Sequence, residues 1–272
     1  MSTTPNVIRD SMTMLRRNFK HIRRYPSVSL LVVGLPVILL LLFVYVFGGT
    51  LGAGLGTSGG RAAYVNYVTP GIVLVAIAGV AQGTAIAVSM DMAEGIIARF
   101  RTMGIARAAV LAGHVLASTI QTMVGLVIVF GVAVAIGFRP NAGGIEWLGT
   151  AAILALLTLA ITWLSAALGL WAKSVETASN LPMPLMLLVF IGSGFVPTDS
   201  MPGALRVFAE YQPFTPIIET IRGLLMGTAI GNHAALAVAW CLVIGVVGYR
   251  WAMRLYNRDP ARHVRVLTAG RA

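Results

Sequence analysis

Charge is scarce in this sequence. Only 11% of its 272 residues are Asp, Glu, Lys or Arg, whereas 57% are hydrophobic and the mean hydropathy is +0.85. Soluble domains carry roughly 25% charged residues, so this chain has too few to cover the surface of a water-soluble fold. We therefore expect lipid to surround most of the chain, whose length leaves room for about six membrane-spanning helices.

Lysine is rarer still, since the sequence contains only Lys20 and Lys173 and neither follows a glycine. The GxxxxGK[ST] loop that binds nucleotide phosphates requires a Gly-Lys pair, so the chain cannot bind and hydrolyse ATP by that route. An HExxH zinc motif and a local cluster of His, Asp and Glu are also missing, which leaves a membrane enzyme with little support. The single cysteine, Cys241, cannot form an internal disulfide and is expected to be a small core residue.

What the sequence does contain is a series of apolar runs without Asp, Glu, Lys or Arg. Each is near the ~20 residues that cross a ~30 Å hydrocarbon core as a helix. Because proton or sodium coupling usually needs ionisable side chains within the spans, these runs argue against a proton-driven antiporter. The pattern predicts an all-α integral membrane protein with six transmembrane helices, in the runs Val28–Phe47, Tyr67–Ser89, Ala109–Ile136, Trp147–Trp171, Asn180–Val196 and Ala234–Tyr249, the last continuing to residue 253.

Two of these runs have features that modify the prediction. The first is 20 residues long, whereas the apolar part of a cleavable signal has about 7–15 residues, so we interpret it as a retained span. Pro36 lies inside it, and Pro182 and Pro184 lie at the start of the fifth run. These prolines predict kinks or a delayed helix start, which neighbouring helices can accommodate.

The positive charges are distributed unevenly about the runs. The net charge is +11, but the basic residues flank apolar segments rather than forming a basic face on a soluble fold, so we do not expect nucleic-acid binding. With the N-terminus inside, sixteen Lys and Arg residues lie in the cytoplasm and four outside, in agreement with the positive-inside rule. We therefore expect a multi-pass protein of the plasma membrane with both termini cytoplasmic. The four outer residues are Arg61, Arg139, Arg206 and Arg222.

The polar segments at the two ends are basic. In the arm formed by residues 1–27, apolar residues follow the spacing of one helical stripe with basic residues around it, which predicts an amphipathic helix lying in the membrane interface. A solvated basic tail that only satisfies the positive-inside rule is the alternative. Residues 254–272 are expected to form a basic cytoplasmic tail. The stripe in the arm consists of Ile8, Met12, Leu15, Phe19 and Ile22.

The outer segment before the last span, residues 198–233, is too long and too apolar for a simple turn. It contains Pro202, Pro213 and Pro216 among many apolar residues. We predict an extracellular re-entrant hairpin of two short helices, broken at Gln212–Pro216, that dips into the bilayer and packs on the spans.

The cytoplasmic loop 90–107, MDMAEGIIARFRTMGIAR, combines charge with apolar residues. Asp91 and Glu94 come early and Arg99 and Arg101 late, the order that complements a helix macrodipole. An apolar face on this loop, which would include Phe100, favours docking to a partner protein. A loop resting on lipid headgroups is the alternative.

Four segments of the chain resemble ATP-binding-cassette type-2 export permeases, particularly the daunorubicin-resistance permeases. The resemblance extends over roughly residues 9 to 255, and the second and fourth segments together are fairly specific. The chain departs from the family at Gly104, where relatives typically have proline. The four segments are YVTPG at 67–71, EGIIARFRTMGI at 94–105, GFRP at 137–140, and residues 194–225, which include MPGALRVFAEYQPFTP and IRGLL.

The resemblance implies an exporter of two permease subunits, identical or similar, and two ATPase subunits on separate chains, which bind ATP and Mg. The chain itself would carry no cofactor and no catalytic residue. The loop 90–107 would contain a coupling helix seated in a cleft of the ATPase, with 172–179 as a second and weaker contact. The coupling residues are then Glu94, Arg99, Phe100, Arg101, Lys173 and Glu176.

Several polar residues and methionines within the spans are weak candidates for the substrate pathway. Helix–helix hydrogen bonding is the favoured interpretation of the polar residues, and core filling is an equal interpretation of the methionines. These candidates are Gln82, Gln121, Ser193, Met183 and Met186, and Thr84, Thr122 and Ser165 share their setting.

The function expected from the resemblance is ATP-driven export of a lipophilic or amphipathic compound. Export of a lipid-linked glycan or complex lipid precursor by the same architecture is the alternative within transport. A non-transporting membrane scaffold subunit is the alternative from another class. Co-purification of a Walker-type ATPase would separate these classes.

Overall fold

The computed structural model describes residues 26–55, 60–94 and 107–257, with side chains described from 33 and, after the second gap, from 111. These residues form helices joined by turns, and no strand occurs among them, which confirms the all-α prediction. The predicted interfacial arm up to residue 25, the loop 95–106 and the tail from 258 lie outside the described residues.

The helices are numbered in chain order. Helix α1 passes through the π-helical turn Phe43–Phe47 into α2, and the hairpin of two short helices precedes the last long helix. The bounds are Pro26–Leu42 for α1, Gly48–Gly54 for α2, Gly60–Ala93 for α3, Arg107–Ala135 for α4, Gly144–Trp171 for α5, Val175–Asn180 for α6, Met183–Ile191 for α7, Gly203–Tyr211 for α8, Phe214–Met226 for α9 and His233–Asn257 for α10.

Five helical stretches in the described residues are long and apolar enough to cross a membrane: Val33–Gly54, α3, Leu111–Ala135, α5 and α10. They are helical because a backbone in hydrocarbon must satisfy its hydrogen bonds within the segment. Helix α3 is the centre of the bundle, with 72% of its most apolar window buried against 22% for α10. It contacts α1, α2, α4, α5, α6, α7 and α9.

The predicted fifth span, 180–196, is not one continuous helix. The chain forms α6, turns at Leu181 and Pro182, and continues as α7, which ends at Ile191. Proline lacks the N–H that a helix interior needs, so Pro182 and Pro184 are accommodated at the start of α7. With nine residues, α7 is only about 13 Å long, less than half of a hydrocarbon core.

The segment before α10 contains the expected pair of short helices, α8 and α9. They are separated only at Gln212 and Pro213, a narrower break than the predicted Gln212–Pro216. Pro216 lies in the first turn of α9, where a missing N–H costs no helical hydrogen bond.

At the end of the bundle away from the hairpin, α3 continues through Ala93, so residues 90–93 belong to the long helix and not to the predicted loop.

Candidate functional site

Two glycines bring α3 into contact with the turn that follows α7. A Cβ atom on Gly71 would lie 2.6 Å from the carbonyl oxygen of Gly194, and one on Gly194 would lie 2.9 Å from Cα of Gly71. Neither position has room for a larger residue. This contact sets Tyr64 and Tyr67, which precede Gly71 on α3, beside the carbonyl groups of the turn.

The carbonyl groups of this turn receive hydrogen bonds from side chains because α7 has ended at Ile191. The hydroxyl of Tyr67 donates to the carbonyl of Ser193 at 2.8 Å, and Nη2 of Arg222 donates to the same oxygen at 2.7 Å. The hydroxyl of Tyr64 donates to the carbonyl of Phe195 at 3.2 Å. The non-helical backbone is thereby satisfied by protein groups.

Arg222, on α9, joins three parts of the structure. Its guanidinium carbon lies 3.9 Å from the centroid of the Tyr67 ring, and Nη2 also donates to the Tyr67 carbonyl at 3.2 Å. Nη1 pairs with the carboxylate of Glu219, one turn earlier on α9. Only 12% of the Arg222 side chain is exposed, so its charge is balanced by partners rather than by bulk water.

The break between α8 and α9 completes the cluster. Gln212 accepts from the N–H of Phe214 at 3.1 Å, a group that has no partner within α9, and donates to Oγ1 of Thr215 at 3.0 Å. Oγ1 of Thr215 also accepts from the N–H of Ser193 at 3.3 Å. We name Tyr67, Ser193, Gln212, Thr215, Glu219 and Arg222 the outer polar cluster, after the side of the membrane on which the positive-inside rule predicts it. It connects α3, the turn after α7 and the α8–α9 hairpin.

The chemistry of the outer polar cluster is that of a structural connection. The charge of Arg222 is balanced by Glu219 within the cluster. The hydroxyl and amide groups form hydrogen bonds mainly with backbone groups and with each other. Within the described residues, the Ser193 hydroxyl and Nε of Arg222 are buried without a hydrogen-bond partner. The arrangement holds the hairpin on the bundle at the end of α3 that is opposite to Glu94.

By contrast, the second arginine of the hairpin is on the surface. Arg206 on α8 pairs with Asp199 and Glu210, and 45% of its side chain is exposed. The hydrogen bond to Glu210, followed by the charge of Asp199, raises the pKa of Arg206. Exposed pairs of this kind contribute little to stability because solvent screens them, so Arg206 is a natural comparison for the buried Arg222.

The weak pathway candidates occupy different parts of the bundle. Ser193 belongs to the outer polar cluster through its backbone, whereas Gln82 donates from α3 to the carbonyl of Ser179 on α6 at 2.9 Å. On α7, Met183 is 57% exposed while Met186 packs against the core. Gln121 is partly buried on α4.

The polar neighbours of these candidates mostly form bonds within the bundle. Thr84 on α3 donates to the Ser118 hydroxyl on α4 at 3.0 Å. Thr122 and Ser165 donate to carbonyl groups of their own helices, those of Ser118 and Ile161.

At the other end of the bundle lie the coupling candidates that the structure describes. Glu94 is exposed just after α3, and Lys173 and Glu176 are exposed at the start of α6. The two segments share one end because a Cβ on Gly169 would lie 2.5 Å from the carbonyl of Ala85. Glu176 also lines a cavity of about 400 Å³ with Thr177, Asn180, Leu181 and Pro184. Arg99, Phe100 and Arg101 lie outside the described residues.

Sequence reasoning missed two polar features. It counted Arg222 only as an outer charge, although an arginine within the apolar stretch of α9 was the available signal of a buried pair. It placed Asp91 in a loop, whereas Asp91 lies in α3 and bonds Nε2 of His114 on α4 at 2.9 Å, with 14% of each side chain exposed.

Comparison with known proteins gives one family. The family described as ABC-2 type transporter matches residues 10–226. The daunorubicin resistance ABC transporter permease protein DrrB1 of Streptomyces coeruleorubidus is 27% identical over 254 residues, which cover 92% of this chain and 87% of that protein. The probable doxorubicin resistance ABC transporter permease protein DrrC of Mycobacterium tuberculosis is 27% identical over 175 residues, 62% of this chain and 63% of that protein. Three of the four segments that carry the resemblance, all but EGIIARFRTMGI, meet around the outer polar cluster. Because the family model matches most of its length, the chain belongs to the ABC-2 type transporter family.

Proposed function

We propose that this chain is the membrane-spanning permease of an exporter that moves a lipophilic or amphipathic compound with ATP hydrolysed on a separate chain. Family membership over residues 10–226 carries the proposal. The sequence has no Gly-Lys pair for a phosphate-binding loop, so we assign ATP hydrolysis to a partner chain. The resistance to daunorubicin and doxorubicin in the names of the relatives supports a drug-like cargo.

The arrangement in the membrane that we propose has six crossings. The five long stretches alone would leave the two chain ends on opposite sides. Six arginines, from Arg250 to Arg271, lie in or beyond the end of α10, and the N-terminal arm is also basic, which favours the cytoplasm for both ends. The broken pair α6 and α7, extended by the turn to Val196, supplies the remaining crossing, and the α8–α9 hairpin is the re-entrant element on the outer side.

Energy transfer from the ATPase is proposed to use the end of the bundle that carries Glu94, Lys173 and Glu176. These exposed charges belong to two segments that the contact of Gly169 with Ala85 places at one end. The residues Arg99, Phe100 and Arg101 follow Glu94 by five to seven positions and are assigned the main contact. The second permease subunit is proposed to be another copy of this chain or a similar one.

The proposal is tested in inside-out vesicles that contain the chain together with a co-expressed Walker-type ATPase. ATP-dependent accumulation of doxorubicin, lost when the catalytic site of the ATPase is inactivated, is the expected result. Uptake of a fluorescent lipid precursor in place of doxorubicin would favour the alternative cargo. ATP-independent uptake, equal with and without the ATPase, would contradict the proposal.

A further inference from the structure

A narrow apolar groove runs along the outside of the bundle between α5 and α10. Its volume is about 210 Å³, and its lining contains no charged residue. Leu242 and Val246 on its rim are 52% and 48% exposed, so the groove opens toward the surroundings of the bundle. The lining consists of Leu156, Leu159, Ala160, Trp163, Cys241, Leu242, Gly245, Val246 and Tyr249.

Small residues at the crossing of the two helices create this groove. A Cβ on Gly248 would lie 2.6 Å from the backbone nitrogen of Leu164, so the two helix backbones approach closely at this glycine. At Gly245 a Cβ would meet Ala160 at an ordinary 3.5 Å. The larger side chains on either side, such as Leu156 and Trp163, form the walls of the space above the two small residues.

The length of the groove suits one acyl chain. From Cys241 to Tyr249 the helix rises about 12 Å, close to the ~15 Å of hydrocarbon in one leaflet. At one end of the groove Trp163 and Tyr249 stack edge to face with centroids 4.9 Å apart, and Trp171 and Trp251 follow with centroids 6.1 Å apart. Tryptophan and tyrosine concentrate where hydrocarbon meets the headgroups, so this end lies at the membrane surface.

Two arginines continue the rim of the groove beyond those aromatic residues. Leu242, Val246, Arg250 and Arg254 follow one another at intervals of four along α10, so each side chain neighbours the next along one ridge of the helix. Both arginines are exposed. An apolar groove that ends at two cations has the charge pattern of a phospholipid with an anionic headgroup.

We propose that the groove between α5 and α10 binds a resident anionic phospholipid, with an acyl chain along Ala160 and Gly245 and the headgroup on Arg250 and Arg254. The positive-inside orientation places this lipid in the cytoplasmic leaflet. Binding requires neither cargo nor ATPase, so the inference can fail while the proposed transport function stands.

The test measures lipid that remains with the full chain. The chain is extracted from vesicles of phosphatidylglycerol and phosphatidylethanolamine, washed in detergent, and its bound lipids are counted by mass spectrometry. The wild type is expected to retain phosphatidylglycerol in preference. Each change of Arg250→Gln or Arg254→Gln is expected to lower that retention about five-fold, the equivalent of the ~1 kcal/mol that one basic residue contributes near anionic lipid. Arg250→Lys with Arg254→Lys is expected to preserve it.

Substitutions that fill the groove provide a second test. Gly245→Leu is expected to lower retention of both lipids, and Val246→Trp serves the same purpose from the exposed rim if Gly245→Leu fails to fold. The matched controls are Lys173→Gln, which removes a charge from the same end of the bundle, and Gly131→Leu on α4, where a Cβ meets open space. Wild-type retention in the arginine and groove variants, or equal losses in the controls, would overturn the proposal. So would a changed oligomeric state without a change in lipid, since a second copy of the chain would then occupy the groove.

Discussion

Arg222 and Tyr67 donate to the same acceptor, the carbonyl oxygen of Ser193, at 2.7 and 2.8 Å, while the guanidinium lies over the tyrosine ring. This shared acceptor connects residues that are 126 positions apart in the chain, Tyr67 and Ser193, and fixes the α8–α9 hairpin on α3. These hydrogen bonds satisfy a backbone carbonyl at a break in the helix, which lipid could not pair.

The first prediction concerns this contact. Arg222→Ala is expected to destabilise the protein by about 1–3 kcal/mol, because Glu219 and the Ser193 carbonyl lose a donor in a poorly hydrated place. Tyr67→Phe is expected to cost about 1 kcal/mol. The measurement is the thermal unfolding midpoint in detergent. Arg206→Ala, in the same hairpin but exposed, is the control and is expected to change little. Equal effects of the two arginine changes would contradict the role of Arg222.

The second prediction concerns the contact of Gly71 with Gly194. Gly71→Ala puts a Cβ 2.6 Å from a backbone oxygen, so α3 and the turn must separate at a cost of about 1–3 kcal/mol. Gly79→Ala on the same helix meets nothing within 4 Å and is expected to be neutral or slightly stabilising. The comparison is the unfolding midpoint of the two variants, and a Gly71→Ala protein as stable as Gly79→Ala would refute the contact.

The third prediction concerns coupling to the ATPase. Phe100→Ala is expected to reduce transport and substrate-stimulated ATP hydrolysis together, because an aromatic anchor at an interface commonly contributes more than about 2 kcal/mol. Subunit amounts in the membrane should stay normal, since no span is changed. Phe208→Ala, which removes an exposed aromatic side chain on the α8–α9 hairpin, is the control. Wild-type export by Phe100→Ala would leave the loop only its role in membrane orientation.

The fourth prediction is topological. Reporter fusions at Met1 and at Ala272 are both expected to score as cytoplasmic, because sixteen of the twenty Lys and Arg residues then lie inside. A cysteine at position 206, introduced after Cys241→Ala, is expected to react with an impermeant thiol reagent from outside. An external signal from either terminus would remove one crossing and would assign α6 and α7 to the surface.

The fifth prediction is biochemical. The isolated chain is expected to show no ATP hydrolysis above the buffer rate, because neither Lys20 nor Lys173 follows a glycine. The assay uses protein purified free of any partner, and addition of the ATPase subunit serves as the positive control. Turnover by the chain alone would require a nucleotide site of another kind.

The sequence by itself determined the all-helical character of the described residues, the positions of the long helices and the family. Uncharged runs of about 20 residues span lipid as self-bonded helices, so α4, α5 and α10 begin and end within about four residues of the predicted runs. Helix α3 begins seven residues before its run, because the helix continues past the apolar region. Pro182 and Pro184 likewise predicted an interruption of the helix in the fifth run. The absence of a phosphate-binding loop was also visible without coordinates.

Only the tertiary structure decided which polar residues act together. Ser193 was predicted through its side chain, yet its backbone carbonyl is the acceptor for Tyr67 and Arg222. The contact of Gly71 with Gly194 and the bond from Gln82 to Ser179 join residues that are distant in sequence and close only because the helices pack. Periodicity reports which face of one helix is apolar, but it carries no information about which helix that face meets, and the outer polar cluster and the α5–α10 groove both depend on that choice of neighbours.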